Sequence, residues 1–369
     1  MKQWSNIYNP FNSLKLLRWV NHWESMEWDD IKPPILVTID PTNACNLNCS
    51  FCNAAKIRQD THNATMSGNY IEKLVPFLSE WGVRAVCIAG GGEPFVNPYT
   101  PEMIDQLLDY GIKVGIVTNG TLLNNEYIIK IVNKCSWLGV SVDEGDKYGY
   151  AKLKGTNPVA FETVINNIKC IREYKIANKT NLQIGYKYVI TPNNIKSIYK
   201  AARLAKNIGC EFIHLRPVGA TWFDNPNKLI FSEQEVKMAQ LYIHRAFNLE
   251  GLVEPEGHIF RVYGVIHKFS KKWHKKFTFK TCHALGMTCI FQPNGTVGLC
   301  CDRRGDSDVT LCTDLIDPKE VLNYWSTQKH LDIIKNVNFA KCPTRCTYQP
   351  HNEIYENVIM QDLMYSEFI

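Results

Sequence analysis

From residue 35 onward, short apolar runs rich in β-branched residues alternate with longer segments whose apolar residues recur at helical spacing. This alternation is typical of repeated strand–helix units built around a parallel sheet. The runs are almost continuously apolar, which indicates strands covered on both faces. The six predicted strands are 35–39, 84–89, 113–118, 137–142, 182–190 and 211–216.

The segments between these runs predict the helices of the same units, and two of them end at a glycine where a left-handed C-cap would lie. Six units are fewer than the eight of a closed barrel, so we expect an α/β fold with a partial (β/α)6 barrel open on one side. Ligands of such folds gather at the carboxyl ends of the strands.

The regular alternation stops after residue 220, where we place a domain boundary. A helical bridge follows, and then a cysteine-rich segment of different character. The predicted parts are an N-terminal extension (1–34), the partial barrel (35–220), the bridge (221–280), a small cysteine-rich domain (281–350) and a C-terminal tail (351–369).

Composition narrows the class of protein. Apolar residues make up 45% of the chain and charged residues 21%, as in a soluble globular enzyme. The net charge of +5 is mild, and only the run KKWHKK at 271–276 is densely basic, so no nucleic-acid partner is expected. The sequence contains neither an apolar run of about 18 residues nor a signal peptide, so we expect a cytoplasmic protein without a membrane partner.

Three of the 14 cysteines, Cys45, Cys49 and Cys52, follow the first predicted strand with CxxxCxxC spacing. In a reducing compartment such a cluster indicates metal ligation rather than disulfides. A cubane iron–sulfur cluster held by protein alone needs four thiolates. Three thiolates leave one iron open for a further ligand, as catalytic zinc sites keep an open position. The alternative is a zinc ion completed by His62 or another residue.

The stretch CNLNCSFC at 45–52, with Phe51 before the last cysteine, resembles the signature of the radical S-adenosylmethionine (radical SAM) superfamily. The resemblance implies a [4Fe-4S] cluster on the three cysteines, with its fourth iron chelated by the methionine moiety of S-adenosylmethionine. It also implies that one electron, from a donor such as flavodoxin or ferredoxin, cleaves that cofactor to a 5'-deoxyadenosyl radical, which takes a hydrogen atom from the substrate.

Other motifs resemble landmarks of the same family. The run GGGEP at 90–94 resembles its GGEP motif, which implies that the backbone of Gly91, Gly92, Glu93 and Pro94 binds the methionine amino group. From the residues alone, a glycine run after a strand is also compatible with a simple tight turn.

Three further strand ends match the family in order. They are VTNG (117–120), VSVDEGD (140–146) and HLRP (214–217). The resemblance implies cofactor contacts from Asn119, from Ser141 and Asp143 near the ribose and carboxylate, and from Arg216 beside the adenine. An arginine there could also bind a carboxylate through two hydrogen bonds.

A second group of cysteines occupies residues 282–346, where Asn-Gly in QPNGTV predicts a β-hairpin. The pattern resembles the auxiliary-cluster domains called SPASM and twitch, and the shorter twitch type, with one auxiliary iron–sulfur cluster, fits better. The ligands this favours are Cys282, Cys300, Cys342 and Cys346. Cys289 could replace Cys282, Cys301 and Cys312 leave the count open, and a four-cysteine zinc knuckle is the alternative.

Two candidate catalytic residues remain. Lys187 is out of phase with the apolar positions of the fifth strand, so its side chain could enter the barrel lumen and bind substrate or act as a base, although an exposed strand end explains it equally well. Cys312, or Cys301, would return a hydrogen atom in an epimerisation. Core packing is expected for Cys87, Cys135, Cys170 and Cys210.

The favoured function is dehydrogenation or epimerisation of an alcohol or amino-sugar type carbon in a small polar substrate. The alternative is modification of a peptide or protein, which the short extension of about 34 residues disfavours because peptide-recognition domains precede the barrel in such relatives. A non-catalytic cluster protein is the third hypothesis, and the GGEP-like element argues against it.

Overall fold

The computed structural model describes residues 13–27, 30–219, 230–253, 257–264, 277, 279–343 and 346–360. The basic run at 271–276 lies outside the described residues, as do parts of the predicted extension, bridge and tail. In the described part of the chain no helix is both long and apolar enough to cross a bilayer.

In the ranges described, a mostly parallel sheet of eleven strands organises the fold. The strands are β1 (Leu36–Ile39), β2 (Ala85–Ile88), β3 (Lys113–Thr118), β4 (Trp137–Ser141), β5 (Gln183–Ile190), β6 (Phe212–Pro217), β7 (Gly251–Val253), β8 (His258–Gly264), β9 (Thr288–Phe291), β10 (Val297–Gly298) and β11 (Thr310–Cys312). Their order across the sheet is β11-β10-β9-β1-β2-β3-β4-β5-β6-β8-β7. All six predicted strands are present, and each pairs in parallel with the next. The predicted α/β class with a parallel, barrel-like sheet is confirmed.

Helices connect the strands and cover one face of the sheet. They are α1 (Val20–Glu27), α2 (Ala55–Asp60), α3 (Gly68–Trp81), α4 (Thr100–Asp109), α5 (Glu126–Val132), α6 (Lys147–Lys154), α7 (Pro158–Asn178), α8 (Ile198–Asn207), α9 (Glu233–Phe247), α10 (Gln328–Lys335) and α11 (Gln349–Ile354). Local sequence sets their ends. Ser67 accepts a hydrogen bond from the Tyr70 amide at the start of α3, and Gly82 closes that helix in the left-handed conformation, as predicted.

The two faces of the sheet differ in chemistry. On the helix-covered face, called here the outer face, apolar side chains such as Val37, Val114, Leu138 and Ile184 are fully buried. The opposite or inner face carries the alternate residues of each strand, which are mainly small or polar. This contrast leaves the inner face available for ligands, while the outer face supplies the core.

Three glycines on the inner face make room for large side chains from the next strand. A Cβ atom on Gly115 would lie 2.1 Å from the Trp137 ring, and one on Gly185 would lie 2.2 Å from the Phe212 ring. At Gly139 the nearest atom would be Lys187 Cδ, at 2.8 Å. The side chains therefore lie flat across their neighbours, and no larger residue fits at the glycine positions.

The cysteine-rich C-terminal segment joins the same sheet. Its first strand, β9, pairs in parallel with β1, and the Asp40 amide donates to the Phe291 carbonyl at 2.9 Å. The hairpin predicted at Asn294-Gly295 is present as β9 and β10, with Gly295 at φ 76°. The two predicted units are therefore joined by backbone hydrogen bonds, while the predicted boundary at 281 stays a prediction.

One prediction about buried cysteines is wrong. Cys87, Cys135 and Cys210 are buried as expected, but Cys170 is exposed. It lies on α7, a long surface helix whose apolar stripe does not include that position.

The outer face makes a direct prediction about stability. Ile184→Ala, at a fully buried position, should lower the free energy of unfolding by about 2–5 kcal/mol, because it leaves a cavity between β5 and the covering helices. The same substitution at Ile176, which is 47% exposed on α7, should change it by less than about 1 kcal/mol. Urea denaturation of the apoprotein, followed by circular dichroism, measures both; equal losses would contradict the assignment of the two faces.

Candidate active site and cysteine pockets

The CxxxCxxC loop follows β1 and is held on one side by the glycine turn after β2. The Gly92 amide donates to the Thr42 carbonyl at 3.1 Å, and the Glu93 amide donates to the Ala44 carbonyl at 2.8 Å. A Cβ atom on Gly92 would lie only 1.9 Å from the Ala44 oxygen. Glycine is thus required where the two segments touch, which explains the GGGEP run physically.

The other side of the loop is held by the end of α6. The amides of Asn48 and Ser50 donate to the carbonyls of Lys154 and Leu153, each at 3.0 Å. Within the loop, the Cys52 amide donates to the Cys49 carbonyl at 3.1 Å. Backbone bonds therefore fix the loop from two directions.

The three thiols of the loop share one electrostatic environment. Burial raises the pKa of Cys49 to about 11; the Lys154 ammonium opposes this rise, and negative charge on Cys52 or Cys45 adds to it. Burial also raises the pKa of Cys45. The three half-buried thiols are close enough for their charges to interact, and a lysine ammonium lies beside them. This setting fits one polynuclear metal centre shared by the three, because its positive charge offsets the cost of burying thiolates.

A single bound metal ion fits this loop less well. Nowhere in the described ranges do three or more His, Cys, Asp or Glu side chains converge closely enough to hold one ion. A four-iron cluster is wider than an ion, so its ligands stand further apart. The zinc site completed by His62 stays the alternative prediction.

The buried Glu93 carboxylate is bound by other groups of the protein. It is 2% exposed and accepts hydrogen bonds from Thr118 Oγ1 at 2.6 Å and from the Asn119 amide at 2.7 Å. Burial raises the pKa of Glu93 to about 6, and these hydrogen bonds limit the rise. The Glu93 carboxylate is thus occupied within the protein. The cofactor contact predicted for Gly91, Gly92, Glu93 and Pro94 would come from their backbone atoms.

Asn119 links β3 to the cysteine loop. Its Nδ2 donates to Asn46 Oδ1 at 2.8 Å, and its Oδ1 accepts from the Thr121 amide at 2.9 Å. These bonds hold the predicted site residue beside the loop.

A buried ion pair lies at the end of β4. Asp143, at φ 62°, pairs with the Lys154 ammonium and also accepts from the Val189 amide at 2.5 Å. Lys154 Nζ donates to the Ser141 carbonyl at 2.9 Å and lies 5.2 Å from the Phe51 ring centroid. Sequence reasoning found Ser141 and Asp143 but missed Lys154, because nothing in the sequence distinguishes a buried lysine at a helix end from an exposed one.

The inner face beyond this pair carries Lys187 and Arg216. Lys187 lies opposite Ser141 on β4 and His214 on β6, and Arg216 lies opposite Val189 on β5. Burial, together with the positive charge of Arg216, lowers the pKa of Lys187 to about 8. Lys187 was predicted to lie on the face opposite to the apolar residues of β5, and this position agrees with that. Its catalytic role stays a prediction.

Four cysteines line one pocket in the C-terminal segment. They are Cys282, Cys300, Cys342 and Cys346, the four predicted auxiliary ligands. The remaining lining is mostly apolar and includes Phe277, Phe279, Leu285, Val309, Val337 and Phe339. An apolar pocket with four thiols on its wall is a suitable chemical setting for a cluster with full protein ligation.

Two polar groups support these thiols. Asn352 Nδ2 donates to Cys282 Sγ at 3.3 Å, and Arg303 Nη1 donates to Cys342 Sγ at 3.8 Å. Arg303 is almost fully buried and is fixed by Asp306 at 2.5 Å. A guanidinium aimed at a sulfur favours a thiolate, so the pocket fits an iron–sulfur group.

The other three cysteines of this segment lie elsewhere. Cys312 aligns with Val297, and Cys289 with Val37, so both are on the outer face. The described geometry therefore gives no support to Cys312 as a hydrogen-atom donor, because the sheet separates it from the inner face. Cys301 is different: its thiol is close enough to Cys87, on the inner face, for its charge to raise the Cys87 pKa.

Comparison with known proteins identifies the barrel. Residues 39–205 match the family model of the Radical SAM superfamily. An AdoMet-dependent heme synthase of Methanosarcina barkeri is 27% identical over 183 residues, which are 49% of this chain and 50% of that protein. The antilisterial bacteriocin subtilosin biosynthesis protein AlbA of Bacillus subtilis is 25% identical over 180 residues, 48% of this chain and 38% of that protein. The chain spans about half the length of these relatives, or less.

Solved structures share the fold over a larger part of the chain. SuiB of Streptococcus suis, bound to S-adenosylmethionine, has a TM-score of 0.63 at 16% identity, covering 91% of this chain and 79% of that one. The enzyme anSMEcpe, with bound AdoMet, has a TM-score of 0.57 at 17% identity, covering 83% and 84%. At such low identity these structures establish the shared architecture.

If the four-cysteine pocket holds a cluster, changing one of its cysteines should lower the amount of iron that the protein binds. In protein reconstituted without oxygen, Cys342→Ala should lower bound iron by about half, because it removes one ligand of one of two clusters. Cys289→Ala is the matched control: it changes a fully buried cysteine outside the pocket and should leave iron unchanged. Iron and sulfide analysis measures both, and an equal loss in the two variants would contradict the assignment.

The Asp143–Lys154 pair predicts non-additive stability. Lys154→Met should lower the free energy of unfolding by about 3–5 kcal/mol, since it leaves a buried carboxylate without its cation. Adding Asp143→Asn should recover part of that loss, because the second change removes the uncompensated charge. Denaturation of the apoproteins in a double-mutant cycle tests this; strictly additive losses would show that the two groups do not interact.

The family match covers the part of the chain that carries the cysteine loop, and it runs from the end of the first strand past the fifth. The matched region contains the cysteine loop, the glycine turn and the Asp143 pair, and proteins of this family bind a [4Fe-4S] cluster and S-adenosylmethionine. Residues 39–205 of the chain therefore form a Radical SAM superfamily domain.

Proposed function

We propose that the protein uses S-adenosylmethionine to remove a hydrogen atom from a polar substrate bound on the inner face of the sheet. The observation that carries this proposal is the placement of Cys45, Cys49 and Cys52 on one backbone-held loop at the carboxyl edge of the same sheet whose inner face carries Lys187. When bound, the cluster and the cofactor supply a 5'-deoxyadenosyl radical.

The chain's own residues hold these groups. Cys45, Cys49 and Cys52 are the proposed cluster ligands, and the Gly91–Gly92 backbone, pressed against the loop, is the proposed support for the methionine amino group. Lys154, beside Cys49 and Phe51, places positive charge at the loop and eases thiolate formation at Cys49. Its pairing with Asp143 keeps that charge in position.

The pocket of Cys282, Cys300, Cys342 and Cys346 is the proposed site of one auxiliary iron–sulfur cluster of the twitch type. Arg304 connects it to the barrel, donating to Asp40 at 2.7 Å and to the Cys301 carbonyl at 2.8 Å. An auxiliary cluster that accepts an electron would favour oxidation as the outcome. Epimerisation remains the second outcome, with Cys301, near the inner face, as the thiol that returns a hydrogen atom.

The substrate is proposed to be a small polar molecule, with a peptide as the second candidate. Similar folds include SuiB bound to the precursor peptide SuiA and anSMEcpe with a bound peptide, which favours the peptide candidate. A relative is an S-adenosylmethionine-dependent nucleotide dehydratase, which favours the small-molecule candidate. A flavodoxin or ferredoxin in the cytoplasm is the proposed electron source.

Reductive cleavage of the cofactor tests the function itself. Anaerobically reconstituted protein, given dithionite and S-adenosylmethionine, should form 5'-deoxyadenosine, measured by liquid chromatography. The triple variant Cys45→Ala, Cys49→Ala, Cys52→Ala should form none, because the cofactor has no cluster to bind. The Cys289→Ala protein controls for loss of a buried thiol. Absence of 5'-deoxyadenosine from iron-replete, folded protein would refute the proposal.

A further inference from the structure

Two buried polar side chains donate hydrogen bonds to thiols of the four-cysteine pocket. Arg303, three residues after Cys300 in the chain, donates from Nη1 to Cys342 Sγ at 3.8 Å. Asn352, on α11, donates from Nδ2 to Cys282 Sγ at 3.3 Å. Both donors are almost fully buried, so water does not compete for them. Two of the four proposed cluster ligands thus receive a hydrogen bond from a side chain.

Both donors are fixed in place by further hydrogen bonds. Arg303 donates from Nε and Nη2 to Asp306 at 2.9 and 2.5 Å, and from Nη1 to the Asn338 carbonyl at 3.2 Å. The Oδ1 atom of Asn352 accepts from the Ala284 amide at 3.0 Å, which turns Nδ2 toward the sulfur. Neither side chain can rotate away without breaking these bonds, so both are preorganised to donate to sulfur.

The wall of the pocket gives these hydrogen bonds a consequence for electron transfer. A four-iron cluster held by four thiolates is negatively charged, and one-electron reduction adds a further negative charge. The mostly apolar lining disfavours the more negative, reduced form, because burial penalises charge. Hydrogen bonds to the ligand sulfurs favour the reduced form, since they stabilise negative charge on sulfur.

One carboxylate acts against the guanidinium at this pocket. Burial raises the pKa of Cys300 and Cys346, and the negative charge of Asp302 adds to the rise. The Asp302 Oδ2 atom accepts from the Thr347 amide at 2.6 Å, which stabilises that charge. Because Asp302 and Arg303 act with opposite sign, replacing them should move a reduction potential in opposite directions.

We propose that Arg303 and Asn352 raise the reduction potential of an iron–sulfur cluster in this pocket by donating hydrogen bonds to two of its ligand sulfurs. This rests on the auxiliary cluster of the proposed function and deepens its oxidative outcome. After the 5'-deoxyadenosyl radical has taken a hydrogen atom, the substrate radical would pass one electron to the cluster and release one proton to water. A higher potential favours that transfer. Both residues act through cysteines, so they are positioning residues.

Redox titration followed by electron paramagnetic resonance tests this in the full-length chain, reconstituted without oxygen. The background carries Cys45→Ala, Cys49→Ala and Cys52→Ala, so that the signal comes from the pocket. Arg303→Gln is combined with Asp306→Asn, which avoids a buried carboxylate without its cation, and is compared with Asp306→Asn alone. We expect the Arg303 change to make one-electron reduction about tenfold less favourable, which lowers the potential by about 59 mV.

Three further variants give the direction and the control. Asn352→Leu should also lower the potential, by less, because a neutral amide is a weaker donor than a guanidinium. Asp302→Asn should raise it, because a negative charge is removed. Asn133→Leu is the matched control for Asn352→Leu: it removes a buried asparagine whose Nδ2 donates to the Ile171 carbonyl at 3.2 Å, and it should leave the potential unchanged.

The other outcomes overturn the proposal. If the Arg303 and Asn352 variants keep their iron and their potentials stay the same or rise, the donors do not tune the cluster. If both variants lose their iron, the two residues serve only to hold the pocket together. If the folded background protein binds no iron, the auxiliary cluster itself is refuted, and iron analysis separates that failure from the others. The titration needs no turnover, so it is independent of 5'-deoxyadenosine formation.

Discussion

The site depends on the close contact between the cysteine loop and the glycine turn after β2. The loop has no regular secondary structure, so its three thiols are positioned only by what its backbone touches. Gly92 allows that contact, since any side chain would collide with the Ala44 carbonyl. The end of α6 completes the support by accepting from Asn48 and Ser50. A loop held by backbone bonds on both sides keeps its geometry whichever side chains vary around it.

Two buried ion pairs also hold the site together. Asp143 and Lys154 form one buried pair, between residues 11 positions apart in the chain, and Asp40 and Arg304 form another, between residues 264 positions apart. Buried pairs add little to net stability, but removing one partner is costly, so they act mainly to fix relative position. The first pair fixes the end of β4 against the end of α6, which in turn holds the cysteine loop through backbone hydrogen bonds. The second fixes the end of β1 against the loop that carries Cys301. The two cysteine centres are thereby held in a defined relation through β1.

Local patterns predicted much of this molecule, and long-range pairing accounts for what they did not predict. The six strands, the hairpin at Gly295 and the CxxxCxxC loop depend on short stretches, and each was visible in the sequence. The side chain direction of Cys312 depends on its pairing with Val297, and the attachment of β9 to β1 joins residues far apart in the chain. Neither follows from periodicity. Lys154 was missed for the same reason, because its burial is created by Asp143 and Ser141 rather than by its neighbours in α6.

The flat side chains over the inner-face glycines also bear on how molecules reach the site. Trp137 and Phe212 are the first residues of β4 and β6, so their rings lie at the amino end of the strands, opposite the cysteine loop. They obstruct passage along the strands toward that end. A molecule bound on the inner face is therefore displaced from the amino end of the strands toward the edge that carries the cysteine loop.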